Sequence, residues 1–117
     1  MKKIFILMCL MATTTIVSAT DLWEGTHQVD WSNTLTIEAA KFADAKVGQK
    51  IVIEFTNATG EVIELHSNGG MLPGTRYVHF LYADQHETEV FITPGMLACL
   101  KEHGMEICGK GFTTTKV

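Results

Sequence analysis

IVIEFTNATGEVIELHSN, residues 51–68, decides the fold class. Ile51, Ile53 and Phe55 alternate with Val52, Glu54 and Thr56; Ile63 and Leu65 alternate with Glu64 and His66. A period of two sends successive side chains to opposite faces of an extended chain, so both runs read as half-buried strands. Asn57-Ala58-Thr59-Gly60 has the composition of a turn, and so short a connection predicts that the two strands pair as a hairpin.

The same period continues outward from this stretch. Leu35 and Ile37 alternate with Thr34, Thr36 and Glu38. Ala39 to Ala45 reads as a short turn-like helix anchored by Phe42, followed by a Val47-Gly48-Gln49 loop. Downstream, Gly69 to Gly74 is a strong loop. Tyr77 to Ala83 is the next strand, with Val78, Phe80 and Tyr82 expected on the core face and Tyr77, His79 and Leu81 on the other. Glu87 to Thr93 is another, ended by Thr93-Pro94-Gly95. There a helix starts and runs to His103, with Met96, Leu97 and Leu100 at helical spacing and Gly104 as its stop. Met105 to Cys108 and Phe112 to Val117 are the last strands. About eight short strands and one small helix near the C-terminus predict an all-β fold, an antiparallel β-sandwich.

Residues 1–19 read differently. Lys2 and Lys3 precede an apolar run, Ile4 to Met11, that is too short to cross a bilayer, and Val17-Ser18-Ala19 is a small-residue exit. This is the pattern of a signal peptide cleaved after Ala19. It predicts one exported domain over residues 20–117, periplasmic or secreted, with no membrane anchor. Two of the nine basic residues lie in that leader, so the exported part is more acidic than the −4 of the whole chain. With no basic stripe, nucleic acid and anionic membrane surfaces are poor partner candidates. An exported compartment permits a disulfide. Cys99 and Cys108 are the candidate pair, the alternative being two small buried thiols that never meet.

If the alternating apolar sets face a core, one outer face collects Glu54, Thr56, Glu64, His66, Asn68, Tyr77 and His79. Carboxylates, imidazoles and amides in one patch suit hydroxyl-rich ligands, and an aromatic ring suits the C–H face of a sugar. The plainer alternative is the solvated face of a sandwich. Catalytic readings have less behind them. Glu54 and Glu64 would form a glycosidase pair only if correctly spaced. Glu64, His66 and His79 lack a metal-ligand spacing, and Cys99 with His103 four residues on lacks a nucleophile signature. No catalytic residue, metal site or cofactor is assigned.

LWEG and DWSNTLTI (22–25 and 30–37), KFADAKVGQKIVIEF (41–55), LPGT (72–75) and ITPGMLACLKEHGMEICGKGFTTTKV (92–117) carry a family likeness. Through them the chain resembles small jelly-roll, galactose-binding-domain-like carbohydrate-binding modules of glycan-degrading Gram-negative bacteria, which often stand beside glycoside hydrolases. The resemblance implies a jelly-roll sandwich that binds an oligo- or polysaccharide without transforming it. It also implies an aromatic residue in the loop before the LPG turn, where this chain has Met71. Trp23, Met71 and Tyr77 are then the stacking candidates, and Glu64, His66, Asn68, Arg76 and His79 the hydrogen-bonding ones. Trp31 shares the parity of Val29 and is expected in the core, while Trp23 is either a platform or a plug at the end of the sandwich. A second function class is a protein-interaction or assembly module of a glycan-utilisation system, docking a protein partner on the same polar face.

Overall fold

The computed structural model describes residues 20–75 and 79–117, with residues 79 and 80 as backbone. The expected leader, Arg76 and Tyr77 lie outside the described residues. Two antiparallel sheets face each other across one core. The first has the order β1 (Glu24–Val29), β9 (Phe112–Lys116), β3 (Lys50–Thr56), β7 (Glu87–Phe91). The second has the order β2 (Leu35–Ile37), β8 (Met105–Lys110), β4 (Val62–Ser67), β5 (Gly70–Met71). Strand β6 (His79–Phe80) also pairs with β4, beyond β5 along the same strand.

Alternation builds the core as expected. Leu35, Ile37, Ile51, Ile53, Phe55, Ile63 and Leu65 are all buried, and Phe55 and Phe112 meet with ring centroids 5.5 Å apart. A 3-10 helix at Ala39–Phe42 buries Phe42, as the sequence predicts. Helix α1 (Pro94–His103) begins where Thr93 caps it: the Thr93 hydroxyl accepts from the Met96 amide. Met96 and Leu100 lie in the core, and Gly104 ends the helix with φ 75°. A Cβ on Gly104 would strike the Ile37 carbonyl oxygen, so this position also lets β2 pass close to the helix end.

Three expectations are overturned, and the cysteines take the unbonded of their two alternatives. Strands β3 and β4 are not a hairpin: β3 lies in the first sheet and β4 in the second, so Asn57–Gly60 carries the chain across the sandwich. Leu81 is buried and Tyr82 is 80 % exposed, the reverse of the expected parity. The Leu81 N–H donates to the Glu61 carbonyl at 2.8 Å, which holds Leu81 inward. Tyr82 opens a turn in which its carbonyl accepts from the Gln85 amide. Trp31 is 52 % exposed, not core. Strand β1 stops at Val29, and the Asp30 and Asn33 backbones bond each other in both directions, leaving Trp31 at the tip of a tight turn. Finally, Cys99 and Cys108 are free thiols. Cys99 donates to the Ser67 hydroxyl at 3.2 Å, and Ser67 in turn donates to the Gly104 carbonyl at 2.7 Å. The Cys99 thiol is thereby held toward the inner side of β4, whereas Cys108 lies on the outer face of β8.

Candidate functional site on the outer face of the second sheet

Register decides which polar groups share a face. Residues directly opposite in an antiparallel pair project to the same side. In β4 and β8, Leu65 stands opposite Ile107, and both are buried in the core. The neighbouring pairs, Glu64 opposite Cys108 and His66 opposite Glu106, therefore face outward. Beyond β8, Thr36 stands opposite Glu106; beyond β4, Met71 stands opposite His66. One transverse row thus reads Thr36, Glu106, His66, Met71, with Glu64 and Cys108 in the next.

The centre of this face is the Glu64–His66 pair. Their side chains are 15 % and 26 % exposed, and His66 Nε2 donates to Glu64 Oε1 at 2.7 Å. Two residues apart on one strand face, they meet only because both side chains lean along the strand. Beside them, burial pushes the Cys108 thiol up to about 11, and the carboxylates of Glu106 and Glu64 add to the effect. Cys108 is therefore a buried, inert thiol beneath the patch and not a nucleophile. The second carboxylate oxygen of Glu64, the Glu106 carboxylate and Nδ1 of the neutral His66 ring provide acceptors, and the Thr36 hydroxyl in the same row can donate. The exposed Met71 flanks the patch. Among the described residues no group of three His, Cys, Asp or Glu side chains has metal-binding geometry.

The structure brings together Glu64, His66 and Met71 of the predicted set. Asn68 stands in the adjoining β4–β5 turn, exposed and with φ 54°. His79 is opposite Ile63 in the backbone register of β6. Trp23 is elsewhere, on the first sheet. It is half-buried against the core, edge-on to His27 at 6.5 Å, and its ring covers Gly25. Glu106, Cys108 and Thr36 were missed. Their signal is the alternation that buries Met105 and Ile107, which leaves Glu106 and Cys108 facing out.

Glu54 does not join this face. It projects from the outer side of the first sheet, opposite Lys116 and Glu87. Packed sheets lie about 10 Å apart, so carboxylates on opposite outer faces exceed the roughly 5–9.5 Å that glycosidase pairs use. Likewise Cys99 points to Ser67 while His103 lies near Glu102, at 3.7 Å, so these two form no nucleophile–base pair.

No protein-family model and no curated protein matches the sequence. Among solved structures the chain is similar to the Bacteroides ovatus mixed-linkage glucan utilization locus SGBP-B, which was solved in complex with a mixed-linkage heptasaccharide. The TM-score is 0.69 at 19 % identity, over 83 % of this chain and 28 % of that one. The likeness is one of fold. It covers little more than a quarter of the other protein's length.

Proposed function

We propose that the protein is an exported, non-catalytic carbohydrate-binding domain of jelly-roll type. It takes a glycan on the outer face of the second sheet. The observation that carries this reading is the convergence of Glu64, His66, Glu106 and Met71 in one patch reachable from solvent. Hydroxyl groups both donate and accept, and this patch offers both kinds of partner beside a polarizable apolar side chain. Two further points support it. Apart from the β4–β6 run, each successive strand crosses to the other sheet, which is the connectivity a jelly roll requires. The structurally similar SGBP-B was captured with an oligosaccharide. Residues 1–19 carry the export reading, and no helix among the described residues is long and apolar enough to cross a membrane.

Affinity electrophoresis through gels cast with neutral polysaccharides tests the site. The parent protein is expected to be retarded, and His66→Ala and Glu64→Gln are each expected to lower the retardation. Retardation unchanged in both variants removes the site from this face. A second reading, a protein-docking module, has its own observation: Glu64 and His66 already satisfy part of each other's hydrogen-bonding capacity. Absence of retardation on every glycan, together with a co-purifying protein lost in the same variants, selects that reading.

A further inference from the structure

A second concavity lies on the other sheet, away from the Glu64–His66 face. It is a groove of about 560 Å³ at the end of the first sheet, walled by the N-terminal segment from Thr20, the 3-10 helix region and the start of β3. That volume falls in the range of small-molecule sites, about 300–1,000 Å³. Phe91 lines it. In β7, Val90 opposes the buried Ile51, so Phe91 faces outward beside Lys50. It is 62 % exposed, whereas Phe42, Phe55 and Phe112 are all fully buried. Leaving a phenyl ring in water forgoes the gain of burying it, and here the ring is set in a concave wall.

The walls are fixed by backbone bonds. Gly48 donates to the Ile92 carbonyl at 3.0 Å and Ile92 to the Gln49 carbonyl at 2.8 Å. Leu22 donates to the terminal Val117 carbonyl at 2.7 Å. A preformed groove spares a ligand the cost of ordering it. The charged lining is balanced: Lys41, Lys50 and Lys116 against Asp21, Asp44 and Glu54. Lys116 approaches Asp21 at 4.0 Å, and Lys50 is held by Glu89 at 3.2 Å. A balanced lining gives neither an anion nor a cation a net field to follow. A hydroxyl can use both signs, because it donates to carboxylates and accepts from ammonium groups.

We propose that this groove is a saccharide-binding site for a neutral, hydroxyl-rich chain, with Phe91 as its stacking platform and the Lys and Asp/Glu groups of its lining as hydrogen-bonding partners. It is independent of the Glu64–His66 face, so a protein with both sites could hold a polysaccharide at two points.

The test is an NMR titration of the isotope-labelled protein with a mixed-linkage heptasaccharide, and in parallel with an oligomer of uronic acids. The neutral probe should shift the Gly48, Gln49, Val52 and Phe91 amides. Phe91→Ala should weaken that response by about tenfold, while His66→Ala leaves it intact. Because Phe91 is exposed, its truncation should leave the remaining spectrum folded. The affinity should change little when salt is raised, since no net charge is neutralised. Three results would overturn the proposal: no shift at these amides with the neutral probe, a response unaltered in Phe91→Ala, or preferential binding of the uronic acid oligomer. Shifts confined to the β4–β8 face that vanish in His66→Ala would reject the groove and leave the proposed function standing.

Discussion

Thr114 supports a quantitative prediction about stability. It lies at the middle of β9, opposite His27 on one side and Phe55 on the other, with no exposure to solvent. Its Oγ1 is the one buried side-chain oxygen or nitrogen among the described residues that has no hydrogen-bond partner. A buried hydroxyl left unpaired costs about 1–3 kcal/mol relative to water. Thr114→Val keeps the β-branched shape and strand preference and removes only that cost. The variant should therefore gain at least about 1 kcal/mol, which in a domain of this size raises Tm by about 4–8 °C. Thr114→Ser is the matched control. It keeps the orphan hydroxyl and deletes a buried methyl, which costs about 1 kcal/mol or more once the cavity is included. Equilibrium urea unfolding, with m-values compared to confirm an unchanged unfolded state, should rank the variants Val above Thr above Ser. If Thr114→Val is less stable than the parent, the hydroxyl has a partner and the reasoning fails.

Three further predictions rest on the second sheet. Gly109 has φ 130°, and a Cβ there would run into the Val62 carbonyl oxygen where β8 passes β4. Gly109→Ala should cost about 3 kcal/mol or more, seen as a lowered urea midpoint or loss of the folded fraction. Cys108 should resist iodoacetamide at pH 8 in the folded protein while half-buried Cys99 reacts, as peptide mass mapping would show. With its thiol at about 11, only about one Cys108 in a thousand is thiolate at that pH. The pH dependence has a definite sign. The folded thiol is raised above its ordinary value of 9.0, so the unfolded chain releases this proton first as pH rises. The contribution of Cys108 to stability is complete below about pH 9 and is lost as pH climbs through about 11. Stability that rises over that interval, after subtraction of a Cys108→Ala control, would contradict the assignment.

Much of the interior could be read from the chain because alternation is a local property. Each of Ile51, Ile53, Phe55, Ile63 and Leu65 needs only its own strand to be assigned inward, and all five are buried. The helix was similarly legible, since Thr93, Pro94 and Gly104 act on the residues next to them. Trp31 and Tyr82 were misread where a strand gave way to a turn. Extending the parity of Val29 to Trp31 assumes that the strand continues, and the Asp30–Asn33 turn ends it.

Period two by itself therefore settled that this protein is a two-faced β structure and which side of most strands is apolar. It did not settle which strands are neighbours. Glu54 and Glu64 carry the same local pattern, ten residues apart, yet they emerge on opposite sides of the sandwich because Asn57–Gly60 crosses between sheets. Whether a connection turns back or crosses over depends on where the rest of the apolar surface can be buried, a property of the whole chain. The same holds for the Glu64–His66–Glu106–Met71 patch and for the groove beside Phe91. Both are made by residues distant in sequence, and pairing in tertiary structure is what placed them side by side.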